Sequence, residues 1–192
     1  MIHSATKYLG GHSDTVAGIA VAKSATLAQQ IYFNQNGIGA VLSPENANLI
    51  RRGIQTLALR MEKHTSNAAK VVSFLQKQAQ VTHVYYPGIP GTRDYEIATA
   101  EAKGYGGVLS FELRQDLDAQ RFVEKLKLIK LAVSLGAVES LIELPAKMTH
   151  AELSPPKEQL AVGGITPQLV RLAVGIEDPR DLIADLAQAL GE

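Results

Sequence analysis

The chain has 192 residues, 46% hydrophobic and 20% charged, with 19 basic side chains against 19 acidic ones and no cysteine. That length can bury a substantial core in one large domain or two small ones, and the even charge balance gives no electrostatic reason to expect nucleic acid or an acidic membrane as partner. Lack of cysteine excludes disulfides, thiolate-bound zinc and a thiol nucleophile, and suits a cytoplasmic enzyme.

In chain order, the N-terminus passes through His3, Lys7 and a pair of glycines without the apolar core of a secretory signal. Residues 16–22 form a short apolar run that predicts a buried parallel strand. A helical pattern over 24–33 is then expected to break at Asn36-Gly37 and Gly39. The stretch 24–44 is uncharged, but Gln29, Gln30, Asn34, Gln35 and Asn36 exclude it as a membrane span. Ser43 as N-cap, Pro44 at the first position and Glu45 in the first turn predict a long helix, with Leu49, Ile50, Ile54, Leu57 and Met61 as its apolar stripe. The helical pattern continues through Ala68, Val71, Val72 and Leu75, either as one helix bent around Thr65-Ser66 or as two helices.

After residue 80 the texture changes. A strand over 81–86 ends at Pro87-Gly88, and a short helix over 94–103 leads into a glycine turn at 104–107. A strand over 108–113, a helix over 117–126 and strands over 128–134, 140–144 and 169–174 follow. The last helix starts from Asp178 and Pro179, buries Leu182, Ile183, Leu186 and Leu190, and stops at Gly191. Alternating strands and helices argue for α/β layers, divided near residue 64.

Three features carry chemistry. Lys7 stands in His3-Ser4-Ala5-Thr6-Lys7-Tyr8-Leu9-Gly10-Gly11-His12-Ser13-Asp14. An amine flanked by short hydroxyls suits covalent attachment of an aldehyde cofactor bearing a phosphate, whereas the plain alternative is a solvated lysine beside a turn. In an extended segment Ser4 and Thr6 would point the same way, toward one phosphate. Arg171 lies inside an apolar run where a charge needs a partner, and alternation sets Leu169, Arg171 and Ala173 on one face. A guanidinium there would grip a carboxylate with two parallel bonds; an exposed sheet face is the alternative. Ser134, in Ser134-Leu135-Gly136-Ala137-Val138-Glu139-Ser140-Leu141, stands either at a ligand or in a plain strand connection. His12-Ser13-Asp14 does not make a hydrolytic triad, because three consecutive side chains cannot line up in relay order. The five histidines lack metal-ligand spacing.

Together with Gln35-Asn36-Gly37-Ile38-Gly39-Ala40-Val41-Leu42-Ser43-Pro44, Gly106-Gly107-Val108-Leu109-Ser110-Phe111-Glu112, Pro145-Ala146-Lys147-Met148-Thr149-His150 and Arg171-Leu172-Ala173-Val174-Gly175-Ile176-Glu177-Asp178, these segments resemble the transsulfuration family of pyridoxal 5'-phosphate (PLP) enzymes along the whole chain. The resemblance implies an α/β fold. It would comprise the end of the large PLP-binding domain of fold type I, aspartate aminotransferase-like, over 1–64, followed by a small α/β domain over 65–192. It implies that Lys7 bears the cofactor, that Ser4 and Thr6 bind its phosphate, and that Ser134 and Arg171 meet the substrate, Arg171 through the α-carboxylate.

Family members are about twice as long. The absent half would supply the aspartate facing the pyridine nitrogen, the tyrosine stacked on the ring, and residues lent by a neighbouring subunit of a homo-oligomer. The expected activity is a cystathionine γ-synthase-like or γ-lyase-like reaction on a small sulfur-containing amino acid. Alternatives are cystathionine β-lyase or methionine γ-lyase and, in another class, an inactive fragment retaining only an assembly role. Leu135, where some β-lyases carry an aromatic residue, leans toward γ-chemistry. Val133, where some γ-lyases carry glutamate, leans toward a synthase or a bacterial mixed-function member. The chain alone is expected to be inactive.

Overall fold

The computed structural model describes residues 1–151 and 165–191, and its backbone divides into two units, Met1–Ala58 and Leu59–Glu192. In the first unit, β1 (Ile2–Ser4) and β2 (Gly18–Ala20) form a two-stranded antiparallel ladder with Ile2 opposite Ala20 and Ser4 opposite Gly18. The sequence pattern predicted a buried parallel strand here. Instead the intervening chain reverses through Gly11 and Ser13, both at positive φ, and lays β2 back along β1, where both strands are largely exposed. Apolar character alone does not distinguish a strand covered on both faces from one that stands alone.

Helix α1 (Ala25–Ile38) starts at Ser24, whose hydroxyl accepts from the Leu27 N–H at 3.3 Å. It runs through the expected break at Asn36-Gly37. An interior glycine costs a helix only about 1 kcal/mol, and the chain leaves the helix at Gly39, where φ is +76°. Helix α2 (Pro44–Gln55) has the predicted start, with Ser43 accepting from the Asn46 N–H at 3.3 Å. Helix α3 (Leu57–Leu75) is continuous across Thr65-Ser66, because neither residue removes a backbone donor. The break falls earlier, at Thr56 (φ −107°, ψ 5°), whose N–H turns back to the Gly53 and Ile54 carbonyls.

Beyond α3 lie β3 (Val81–Tyr85), α4 (Arg93–Glu101), β4 (Val108–Leu113), α5 (Ala119–Lys125), β5 (Lys130–Leu131), β6 (Leu141–Glu143), β7 (Leu169–Ala173) and α6 (Pro179–Leu190). The five strands form one sheet in the order β3-β4-β7-β6-β5, antiparallel except for the β5–β6 pair. Alternation along β4 sends Leu109, Phe111 and Leu113 into the core. There they join Val71 and Leu75 of α3, Phe122 of α5, and Leu182 and Leu186 of α6. On the opposite face Arg171 of β7 stands between Ser110 of β4 and Glu143 of β6. Strand β5 is shorter than the predicted 128–134. The N–H groups of Lys127, Leu128 and Ile129 turn to the Asp185 carboxylate instead of a neighbouring strand, and Ser134 leaves β geometry with φ +118°. Among the described residues, no helix is long and apolar enough to cross a membrane, and no His/Asp/Glu cluster is arranged for a metal.

Candidate active site

Lys7 sits in a single π-type turn, Ala5–Leu9, and departs from helical dihedrals within it (φ −89°, ψ −130°). The turn is closed by the Gly10 N–H donating to the Ala5 carbonyl and the Gly11 N–H donating to the Lys7 carbonyl, both at 2.8 Å. Its back is set by α2. A Cβ on Gly53 would run into the Gly10 carbonyl and lie 2.7 Å from the Leu9 oxygen, while a Cβ on Gly10 would meet Ile50 Cδ1 at 3.1 Å. Glycine at both positions lets helix and turn meet backbone to backbone. Pattern reading passed over Gly53; a glycine among the apolar positions of a helix was the available signal.

The Thr6 hydroxyl accepts from the Ala17 N–H at 2.9 Å and donates to the Ala17 carbonyl at 3.3 Å, which ties the turn to the segment entering β2. Ser4 ends β1 and is exposed. Thr6 therefore does not continue the strand of Ser4, and the alternation argument for the two hydroxyls does not apply; they flank the lysine from a strand end and from a turn. The His12 imidazole donates from Nδ1 to the Gly10 carbonyl at 2.8 Å, since a carbonyl can only accept.

Ser134 and Arg171, placed apart by the sequence, meet in the second unit. Arg171 Nη2 donates to the Ser134 carbonyl at 3.0 Å, and Nη1 lies 2.9 Å from Glu143 Oε1. The Arg171 side chain keeps 20% of its surface exposed, while that of Glu143 keeps 1%. Thr149 Oγ1 donates to the same Glu143 oxygen at 2.8 Å. Glu143 escaped the sequence reading although it gave the same signal as Arg171, a lone charge in the apolar run 141–144.

The loop after Ser134 is clamped from behind. The Ser140 N–H and hydroxyl donate to the Glu177 carboxylate at 2.6 and 2.9 Å, and the Gly175 N–H donates to Ser140 Oγ at 2.8 Å. Asn67 Nδ2 donates to the Gly175 and Glu177 carbonyls, and His64 Nδ1 to that of Val174 at 2.7 Å. Burial holds the His64 pKa below the ordinary imidazole value, and its bond to Val174 opposes this only in part. The 104–107 segment is a turn, with Gly106 at φ +75° and its carbonyl accepting from the Tyr86 hydroxyl at 2.9 Å.

A family model described as Cys/Met metabolism PLP-dependent enzyme matches residues 1–191. The chain belongs to this family. Among curated relatives, a cystathionine beta-lyase of Lactococcus lactis subsp. cremoris (strain MG1363) is 51% identical over 190 residues, covering 99% of this chain and 50% of the relative. A cystathionine gamma-lyase of Bacillus subtilis (strain 168) is 47% identical, again over 99% of this chain and 50% of its own length. The crystal structure of cystathionine gamma-lyase from Lactobacillus plantarum complexed with L-serine superposes with TM-score 0.92 at 47% identity, over 98% of this chain and 49% of that one. The chain thus spans about half the length of the relatives it matches, and its α/β fold is that of the corresponding part of these fold-type-I enzymes.

PLP is the cofactor that membership implies. The residues around Lys7 fit it. The lysine is half-buried in a braced turn without an acidic residue at its start, and the Ser4 and Thr6 hydroxyls stand within three positions of it.

Proposed function

We propose that this chain is the C-terminal half of a PLP-dependent enzyme that cleaves a carbon–sulfur bond of cystathionine or a related sulfur amino acid, acting together with an N-terminal half and within a homo-oligomer. The observation that carries this is Lys7 itself, an amine with nearby hydroxyls in a turn that a helix backs at van der Waals distance. The relatives above bear lyase names of both β and γ type, which supports elimination over a synthase's replacement reaction. In this reading residues 1–64 close the large cofactor domain and 65–192 form the small one.

Each residue has a defined task. The bound cofactor supplies an electron-withdrawing ring that acidifies the substrate carbon bearing the amino group. Lys7 is the residue that would hold the cofactor covalently, and its Nζ would accept the proton from that carbon. Ser4 would donate to the phosphate, and Thr6 would do so by redirecting its proton from the Ala17 carbonyl while still accepting from the Ala17 N–H. Arg171 holds the substrate α-carboxylate beside Ser134.

The test mixes the purified chain with PLP and a matching N-terminal half. The expected result is a visible absorption band that disappears in Lys7→Ala, with borohydride reduction fixing the cofactor on the peptide containing Lys7. The chain alone is expected to show no turnover. A second reading, a non-catalytic fragment that only assembles, draws on the half-length match; a stable complex that develops no band would select it.

A further inference from the structure

We infer that Glu143 and Thr149 are positioning residues that set the direction in which Arg171 presents its guanidinium. A guanidinium carries five N–H donors on a long flexible stem. Here one edge is held at two points by oxygens of different origin, the Glu143 carboxylate on Nη1 and the Ser134 carbonyl on Nη2. Those oxygens cannot use all the donors, and the exposed fifth of the side chain is where a ligand carboxylate reaches the remainder. The arrangement is rigid because each anchor is itself anchored. Glu143 lies in β6 opposite Arg171 in the sheet register, its side chain is 1% exposed, and its Oε1 also accepts from Thr149. Ser134 offers its carbonyl from a left-handed backbone conformation, in a loop fixed by the Ser140–Glu177 bonds.

A buried carboxylate beside a ligand-binding arginine has two opposed effects. It aims the guanidinium, and it cancels part of the charge that attracts the ligand. The distance to the backbone carbonyl and the bond from Thr149 favour aiming as the dominant one. A carboxylate retained only for its charge would not need a hydroxyl to fix its rotation. The argument rests on the carboxylate-binding role proposed for Arg171, but the orientation of the guanidinium is measurable without it.

The experiment compares Glu143→Gln, which keeps reach and acceptor but loses the charge, with Glu143→Leu, which loses all three, and with Thr149→Val. In the full chain alone, nitrogen-15 NMR of the Arg171 Nη groups reports rotation about Cζ–Nε. Resolved Nη signals are expected in the parent and in Glu143→Gln, and averaged ones in Glu143→Leu. Thr149→Val is expected to speed rotation at least about threefold, since it removes one of the bonds to a charged group. In the assembled, PLP-loaded protein, Glu143→Leu is expected to raise KM for the amino acid substrate about tenfold with kcat within about twofold. Glu143→Gln is expected to stay within about threefold in KM, the pattern of lost uniform binding rescued by the conservative variant.

Equal KM shifts in the Gln and Leu variants, or Nη signals in Glu143→Leu as resolved as in the parent, would overturn the inference. If Glu143→Leu loses the dispersed amide spectrum of a folded chain, unchanged Nη rotation in Thr149→Val overturns it and faster rotation supports it. Failure of the assembled protein to bind PLP would count against the proposed function alone, because the Nη measurement needs neither cofactor nor second polypeptide.

Discussion

At the scale of single residues, two glycines one helix apart make opposite predictions. Gly53 of α2 faces the carbonyls of Leu9 and Gly10, so a methyl group there has nowhere to go without moving the turn that carries Lys7. Gly53→Ala is therefore expected to destabilise the chain by about 1–3 kcal/mol, the usual cost of overpacking backbone against backbone. Gly37 lies inside α1 with nothing within 4 Å of its would-be Cβ. Gly37→Ala is expected to stabilise by about 0.5–1 kcal/mol, through helix propensity alone. Urea midpoints of the two variants beside the parent decide this, and shifts of the same sign would refute the close packing of turn and helix. The sequence hides the difference, because Gly37 reads as a helix break and Gly53 as one position within a helix, and only the fold places the first inside a helix and sets a carbonyl against the second.

At the scale of elements, the link between α6 and β5 rests on one carboxylate. Asp185 on α6 accepts the N–H groups of Lys127, Leu128 and Ile129 at 2.8–2.9 Å, and its side chain also meets Gln188. Burial pushes the Asp185 carboxyl up, but those donors together outweigh it and hold the pKa below the usual carboxylate value. Because the folded pKa lies under the unfolded one of about 3.9, the stabilisation is complete above roughly pH 5 and drains away as pH falls through the folded value. Asp185→Asn is expected to cost about 1–3 kcal/mol at pH 7, since an amide meets a backbone donor with its own N–H. It is also expected to flatten the loss of stability between about pH 4 and pH 2. Denaturant unfolding of parent and variant at both ends of that range measures it; equal acid slopes would remove Asp185 from the account.

The same elements show what the sequence discloses. Ser43 with Pro44 and Asp178 with Pro179 are local signals, written in adjacent residues, and the helices start where they say. The alternation of β4 is equally legible, because one face is fully packed and the other only partly covered, whereas β7 is buried on both faces around Arg171. Pairing partners are not local. The antiparallel return of β2 depends on backbone reversal at Gly11 and Ser13, and the shortening of β5 depends on a carboxylate more than fifty residues away. Among the candidate residues, Lys7, Arg171 and Glu143 all stand out by their immediate neighbours, whereas the partners of Glu143 and the close approach at Gly53 are set by what folds against them.

At the scale of the whole molecule, apolar surface is distributed unevenly between the units. The second unit has a continuous core beneath its sheet. In the first, α1 contains no buried residue, and Val16, Phe33 and Ile38 are 82%, 77% and 80% exposed. The chain spans about half the length of its relatives, and under the proposed function the N-terminal half is the occupant of this surface. Amide hydrogen exchange separates the two regions. In the chain alone, amides of Ala25–Ile38 are expected to exchange through local opening at a free energy near zero, while those of β4 and β7 wait for global unfolding. Adding the N-terminal half should slow exchange across α1 at least about tenfold, equivalent to about 1.4 kcal/mol of added protection, and leave β4 and β7 little changed. Exchange in α1 that is already slow in the isolated chain would mean that this helix is covered by contacts within it. Exchange that stays fast after a complex has formed would place the proposed N-terminal half on some other surface and remove the structural support for shared assembly.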